Sequence, residues 1–216
     1  MLKMRPGTKF YGLDIETLGK DPDSVIISAA FLAFEFNEDK TFQQYVDESF
    51  YVKFSIAEQK AAGRKIDPDT LEWWKKQIPE VRKELMPSAK DVSMKEGSKQ
   101  IRAYLASKGI DKNVEKNTIR FCRGQDFDIP IMSNLMESVD EELPGSYWNS
   151  RDIRTFIAAA SLDFTVNTIY KDDREYKTIP GFRIHDARHD IAKAVVEMKT
   201  SSGLCWVRFH QTTCNV

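Results

Sequence analysis

The chain is predicted to adopt an α/β fold, on three observations. Residues 9–18, 25–37 and 42–54 are dense in β-branched and aromatic side chains and are parted only by short turns at 21–24 and 37–40. Residues 56–109 then change to a helical period, and from about residue 118 onward strand-like and helix-like stretches alternate. Tight turns between β-rich runs join neighbouring strands, so the first three strands are expected to be antiparallel.

The first strand carries the apolar run Lys9-Phe10-Tyr11-Gly12-Leu13 and ends in Asp14-Ile15-Glu16, before the turn Gly19-Lys20-Asp21-Pro22-Asp23. The second and third strands are assigned to 25–37 and 42–54. Within 56–109, read as a helical insertion or crossover, Asp67-Pro68-Asp69-Thr70 has the composition of a helix start and Ser107-Lys108-Gly109 that of a stop. Thr118-Ile119-Arg120-Phe121-Cys122 reads as the next strand. Helices are predicted over about 126–139 and over about 151–162, the latter after Ser146-Tyr147-Trp148-Asn149. Residues 163–184, with Asp172-Asp173-Arg174-Glu175 and Pro180-Gly181, read as a mobile loop ahead of a last long helix that starts near Asp186. There is no internal repeat or low-complexity tract.

With 216 residues, 41% of them hydrophobic, the chain can build a real core, and one elaborated domain over 1–216 is expected. A net charge of -1 excludes binding of polyanions by bulk electrostatics. Contact with nucleic acid would have to come from local basic clusters and from metal ions bridging to phosphate. Cys122, Cys205 and Cys214 are odd in number and lack metal-type spacing, which predicts free thiols in a reducing compartment. Residues 1–7 have no apolar signal core, and no window approaches the ~18 apolar residues of a membrane span. A cytoplasmic protein without membrane association is expected.

Three clusters carry candidate chemistry. Asp14 and Glu16 are two residues apart, so strand alternation places both carboxylates on one face beside an apolar run. There they call for a neutralising partner such as a divalent cation, unless they are a solvated strand end. In Gly124-Gln125-Asp126-Phe127-Asp128, between strand and helix, one acid suits helix capping by Asp126 while Asp128 lies inside the first turn, facing the carboxyl end of the strand. His185-Asp186-Ala187-Arg188-His189-Asp190 holds two of the three histidines. The apolar period of Ile191, Ala194, Val195 and Met198 sets His185 ahead of the last helix and Asp190 about one turn inside it. Asp186 could cap that helix, with His189 and Asp190 stabilising its first turn or facing water.

In their order, D-x-E on the first strand, F-D after the central strand and H-x-A-x-x-D opening the last helix, these clusters resemble the three motifs of the DEDD superfamily of 3′-5′ exonucleases, in its His-containing subclass. Glu72-Trp73-Trp74-Lys75, Phe121-Cys122-Arg123-Gly124 and Trp148-Asn149-Ser150-Arg151-Asp152-Ile153-Arg154-Thr155 are similar to segments of the exonuclease A proteins of T-even-type bacteriophages. The resemblance implies a ribonuclease H-like exonuclease fold, a mixed five-stranded sheet with its first three strands antiparallel, flanked by α-helices. It implies Asp14, Glu16, Asp128 and Asp190 as ligands of two Mg²⁺ or Mn²⁺ ions, His185 as general base, and mononucleotide release from the 3′ end of single-stranded DNA, with RNA the nearest alternative substrate. Asp126 competes with Asp128 at the second motif.

The resemblance further implies that Thr17 and Leu18 contact the terminal nucleotide through backbone atoms. Trp73 and Trp74, flanked by Lys75 and Lys76, are candidates for base stacking. Adjacent tryptophans on a helix cannot both face one way, so at least one is expected in the core. Arg151 and Arg154 are candidates for phosphate contact, with pairing to Asp152 the alternative. Residues 163–181 are expected to be flexible without substrate, because His185 must reach the site from their far end. A phage-encoded chain of this kind would act in the host cytoplasm. Oligomeric state and the role of the tail beyond Ser201 have no signature.

Overall fold

The structure is a computed structural model that describes residues 5–111, 113–162 and 179–201. The Asp163–Gly181 expectation falls largely, and that on the tail with Cys205 and Cys214 entirely, outside the described residues. Five strands, β1 (Lys9–Thr17), β2 (Ile26–Phe34), β3 (Phe50–Lys53), β4 (Thr118–Cys122) and β5 (Ser150–Asp152), form one sheet in the order β3-β2-β1-β4-β5. β1, β2 and β3 pair antiparallel, whereas β1–β4 and β4–β5 are parallel. The predicted α/β class and the mixed five-stranded sheet therefore both hold.

Alternation along β1 explains the two layers. Tyr11, Leu13 and Ile15 point to one face and pack with Ile101 and Leu105 of α5 (Met94–Ser107) and with Ile131, Met132 and Leu135 of α6 (Gln125–Glu137). Phe10 points to the other face, in a cluster with Ala187 and with Ile191, Ala194, Val195 and Met198, the predicted period of the last helix, α8 (Ala187–Ser201). Gly12 lies on that second face, where an added Cβ would come within 2.5 Å of Ile191 Cδ1. A missing side chain at Gly12 thus lets α8 approach the strand, and Asp14 and Glu16 continue the same row beyond it.

One predicted strand is corrected. Residues 42–54 do not form a single strand: Phe42–Glu48 is a helix, α1, and only Phe50–Lys53 pairs with β2. Thr41 and Gln44 close a reciprocal capping box at its start, and Phe42, Tyr45 and Val46 fall on one buried helical face against α8. Local β propensity loses there to capping and to helical burial.

The helical insertion comprises α2 (Ile56–Ala61), α3 (Pro68–Lys75), α4 (Pro79–Arg82) and α5. Asp67 caps α3 through Asp69 and Thr70 as its composition predicts. Trp74 and Val81 of this insertion pack with Leu18, Val25 and Ile27, so α3 is fastened to the end of β1. The predicted 151–162 helix begins later, at Ile153 in α7 (Ile153–Ser161), because Arg151 and Asp152 pair with Phe121 and Cys122 as part of β5. Among the described residues no helix is long and apolar enough to cross a membrane.

Candidate active site

The five predicted motif residues meet at the carboxyl ends of the parallel strands β1 and β4, the end of such sheets where ligand sites are built. They line one cleft together with Arg123, Phe127, Arg154, Ile184 and Lys193. One carboxylate oxygen each from Asp14, Glu16 and Asp190 lie within 4.8 Å of one another. Asp14 and Glu16 come from one strand face, and Asp190 is brought over them by α8.

β1 continues past its pairing with β4, which ends at Gly12 and Phe121. Asp128 accepts a hydrogen bond from the freed Ile15 N–H at 3.3 Å, and it is 3% exposed. Asp126 is exposed on the outer side of α6, so the competition between the two acids is decided in favour of Asp128. Nor does Asp126 cap that helix. Asp152 does so, accepting from the N–H groups of Gly124 at 2.9 Å and Gln125 at 3.3 Å. The chain turns from β4 into α6 at Gly124, whose φ of 123° is a backbone conformation that side-chain-bearing residues rarely adopt.

Four acids at such spacing cannot all carry charge cheaply. Burial, reinforced by Asp128, Asp190 and Glu16, holds the Asp14 carboxyl well above the usual carboxylate range. Burial does the same to Asp128, partly offset by the Ile15 N–H. Asp190 is pushed up to about 7 by burial and the Glu16 charge, with His185 and Lys193 opposing. Arg123 and Lys193, which both pair with Glu197 (Lys193 at 2.6 Å), and Arg154 temper the repulsion without cancelling it. Hard oxygen donors raised in this way suit a divalent cation, which would satisfy the charge that the protein leaves uncompensated.

This arrangement has a measurable consequence. Asp190 binds its proton up to about pH 7 when folded but only up to about 3.8 when unfolded. The folded state therefore holds the extra proton across that window, and its stabilising contribution, full below the lower value, is lost as pH rises through the upper one. His185, also raised, acts in the same sense. Metal-free protein should melt at least about 5 °C lower at pH 8 than at pH 5, and Mn²⁺ should restore most of that loss at pH 8 and much less at pH 5. Thermal melts with and without EDTA check this, and melting temperatures insensitive to both pH and Mn²⁺ would contradict it.

His185 precedes α8 as predicted, with a φ of 58° that a non-glycine residue seldom adopts. Its Nδ1 lies 3.7 Å from Glu16 Oε1. Burial disfavours charge on the ring, but Glu16 and then Asp190 outweigh it, so the imidazole titrates above its ordinary value. Asp186 accepts from the Arg188 N–H at 3.2 Å at the start of α8, as its capping assignment requires. His189, by contrast, neither faces water nor enters the cleft. It is buried between Phe42 and Phe182.

Three of the substrate-contact expectations change. Trp74 is 1% exposed and donates its indole N–H to the Thr17 carbonyl at 2.9 Å, so it is a core residue and presents no stacking face. Trp73 is 44% exposed at the cleft edge. Arg151 is exposed but donates to the carbonyls of Trp148 and Ser150, both at 2.8 Å, and lines a neighbouring cavity with Asp126. Arg154 lines both that cavity and the cleft. Thr17 and Leu18 are buried. Leu18 N–H donates to Val25 and its carbonyl accepts from Asp67, which leaves little of their backbone facing the cleft. Arg123 and Lys193 also line the cleft, although neither belongs to the three motifs. Lys193 had a signal, since it follows Asp190 by three residues and so shares its helical face.

Residues 9–198 match the family described as 3′-5′ exoribonuclease Rv2179c-like domain. An exodeoxyribonuclease of enterobacteria phage T4 is 35% identical over 204 residues, 87% of this chain and 86% of that protein. The crystal structure of cell-death related nuclease 4 (CRN-4) superposes with a TM-score of 0.59 at 17% identity over 92% of this chain and 65% of its own. An Escherichia coli exonuclease I–single-stranded DNA complex gives 0.54 at 16% identity over 89% and 40%. The chain thus spans less than two thirds of either solved structure, and at these identities the likeness establishes the fold.

Proposed function

The chain belongs to the family of 3′-5′ exoribonuclease Rv2179c-like domains, and from that premise we propose that it is a divalent-metal-dependent 3′-5′ exonuclease that releases nucleoside 5′-monophosphates, chiefly from single-stranded DNA. The observation that carries this reading is the convergence of Asp14, Glu16, Asp190, Asp128 and His185 in one cleft from three distant parts of the chain. The preference for DNA rests on the 35% identity to the phage T4 exodeoxyribonuclease over most of both chains. RNA trimming is the second reading, favoured by the description of the matched family.

Asp14, Glu16, Asp128 and Asp190 would hold two Mg²⁺ or Mn²⁺ ions. Bound there, such a pair supplies acidification of water and neutralisation of charge on the phosphoryl and leaving oxygens. The protein's own part is proton handling and positioning. The Glu16 charge 3.7 Å from Nδ1 favours a proton on that atom, and Nε2 would then be the acceptor for the proton of the attacking water. Positive charge near Glu16 and Asp190 offsets the two acids that raise His185, returning it toward the neutral form a base requires. Arg123, Arg154 and Lys193 line the cleft and favour approach of phosphate. A buried Cys122 thiol fits action in a reducing cytoplasm.

Matched DNA and RNA single strands, labelled at the 5′ end, test the proposal. We expect Mn²⁺- or Mg²⁺-dependent shortening from the 3′ end with mononucleotide product, faster on DNA, and abolished by EDTA. Faster RNA shortening would replace the DNA assignment with the second reading, and product formed at full rate in EDTA would remove the metal proposal.

A further inference from the structure

His185 is the only one of the five cleft residues not carried by a strand or helix, yet a general base must be aimed. Its left-handed backbone does not by itself orient the ring. Two aromatic rings lie against it. Trp73 meets the imidazole edge to face, centroids 4.9 Å apart and planes at 86°, and Trp74 lies 6.0 Å away at 61°. The two indoles stand at 86° to each other, 5.5 Å apart, so together they form a corner. Consecutive residues on α3 point in directions about 100° apart. Here that divergence lets two neighbours touch one ring from different sides.

The corner is anchored to the chemistry. Trp74 is buried and tied through its indole N–H to the carbonyl of Thr17, the residue after Glu16, and Glu16 Oε1 stands 3.7 Å from Nδ1 of the same imidazole. We infer that Trp73 is a positioning residue for His185: with Trp74 as its fixed neighbour it holds the imidazole toward Glu16, and the helical insertion thereby serves the catalytic cleft. Its partial exposure follows from standing at the cleft rim. The alternative for so exposed an indole is direct stacking on a substrate base.

This inference rests on His185 acting as the base, and a double-mutant cycle separates the two ideas. Trp73→Ala should lower kcat about tenfold with KM within about twofold, and should leave the affinity for a fluorescent oligothymidylate in EDTA unchanged. Trp73→Phe, which keeps an aromatic edge, should restore most of kcat. In the His185→Ala background, Trp73→Ala should change kcat less than about twofold. An undiminished effect in that background, a loss confined to KM or to oligonucleotide affinity, or no recovery with Phe would overturn the positioning role. Near-normal kcat in His185→Ala alone would remove the base assignment, and the positioning role with it. Trp73 is on the surface, so melting temperatures of its variants should stay within a few degrees of the parent.

Discussion

Replacing Asp14 with Asn should lower turnover by at least about 10³-fold while making the metal-free protein more stable. The two effects have one cause. Asp14 is the acid most crowded by others, with Asp128, Asp190 and Glu16 all raising its proton affinity on top of burial. An amide of the same shape removes the repulsion and the charge-desolvation cost, so the metal-free melting temperature at pH 8 should rise by a few degrees. The same change deletes one of the four carboxylates proposed to hold the ions. Metal ions stabilise transition-state charge by several kcal/mol, which sets the size of the expected loss. Oligonucleotide binding in EDTA should persist, and the Mn²⁺-induced rise in melting temperature should shrink. Single-turnover hydrolysis together with thermal melts measures all of these, and near-normal hydrolysis by Asp14→Asn would falsify the ligand assignment.

His185→Ala should lower kcat by about 10²- to 10⁴-fold, the usual worth of general-base assistance, yet keep the full Mn²⁺ response in thermal melts. That contrast with Asp14→Asn distinguishes a proton acceptor from a metal ligand. The ring is largely enclosed, near Glu16 and the Trp73–Trp74 corner, so its removal leaves a gap beside Glu16 but deletes none of the four carboxylates carried by β1, α6 and α8. The wild-type rate should fall on the acidic side as the imidazole protonates, and His185→Ala should flatten that limb. A variant that lost its metal response, or kept most of its turnover, would contradict the assignment.

Much of the site could be read in the sequence because its signals are local. Asp14 and Glu16 share a face by the two-residue period of a strand, and Asp190 sits one turn into a helix whose apolar period is unambiguous. The residues misread are those whose roles depend on contacts distant in sequence. Residues 42–48 have strand-like composition but become a helix because α8 offers a surface for Phe42, Tyr45 and Val46. Arg151 stands among residues of helical texture but is taken into β5 by Phe121. Trp73 and Trp74 carry the same side chain, and only the docking of α3 on Leu18 and Val25 assigns one to the core and the other to the rim.

Backbone periodicity acts over a few residues, so the α/β class, the three motif fragments and the shared strand face of Asp14 and Glu16 are legible in the sequence. Tertiary structure alone decided that Asp128 and not Asp126 enters the cleft, through the unpaired Ile15 N–H at the end of β1. It also decided that Gly12 admits α8 close enough to bring Asp190 to Asp14 and Glu16, and that the insertion reaches back to enclose His185. Those outcomes depend on which surfaces meet in space, and no local pattern encodes the proximity of residues more than a hundred positions apart.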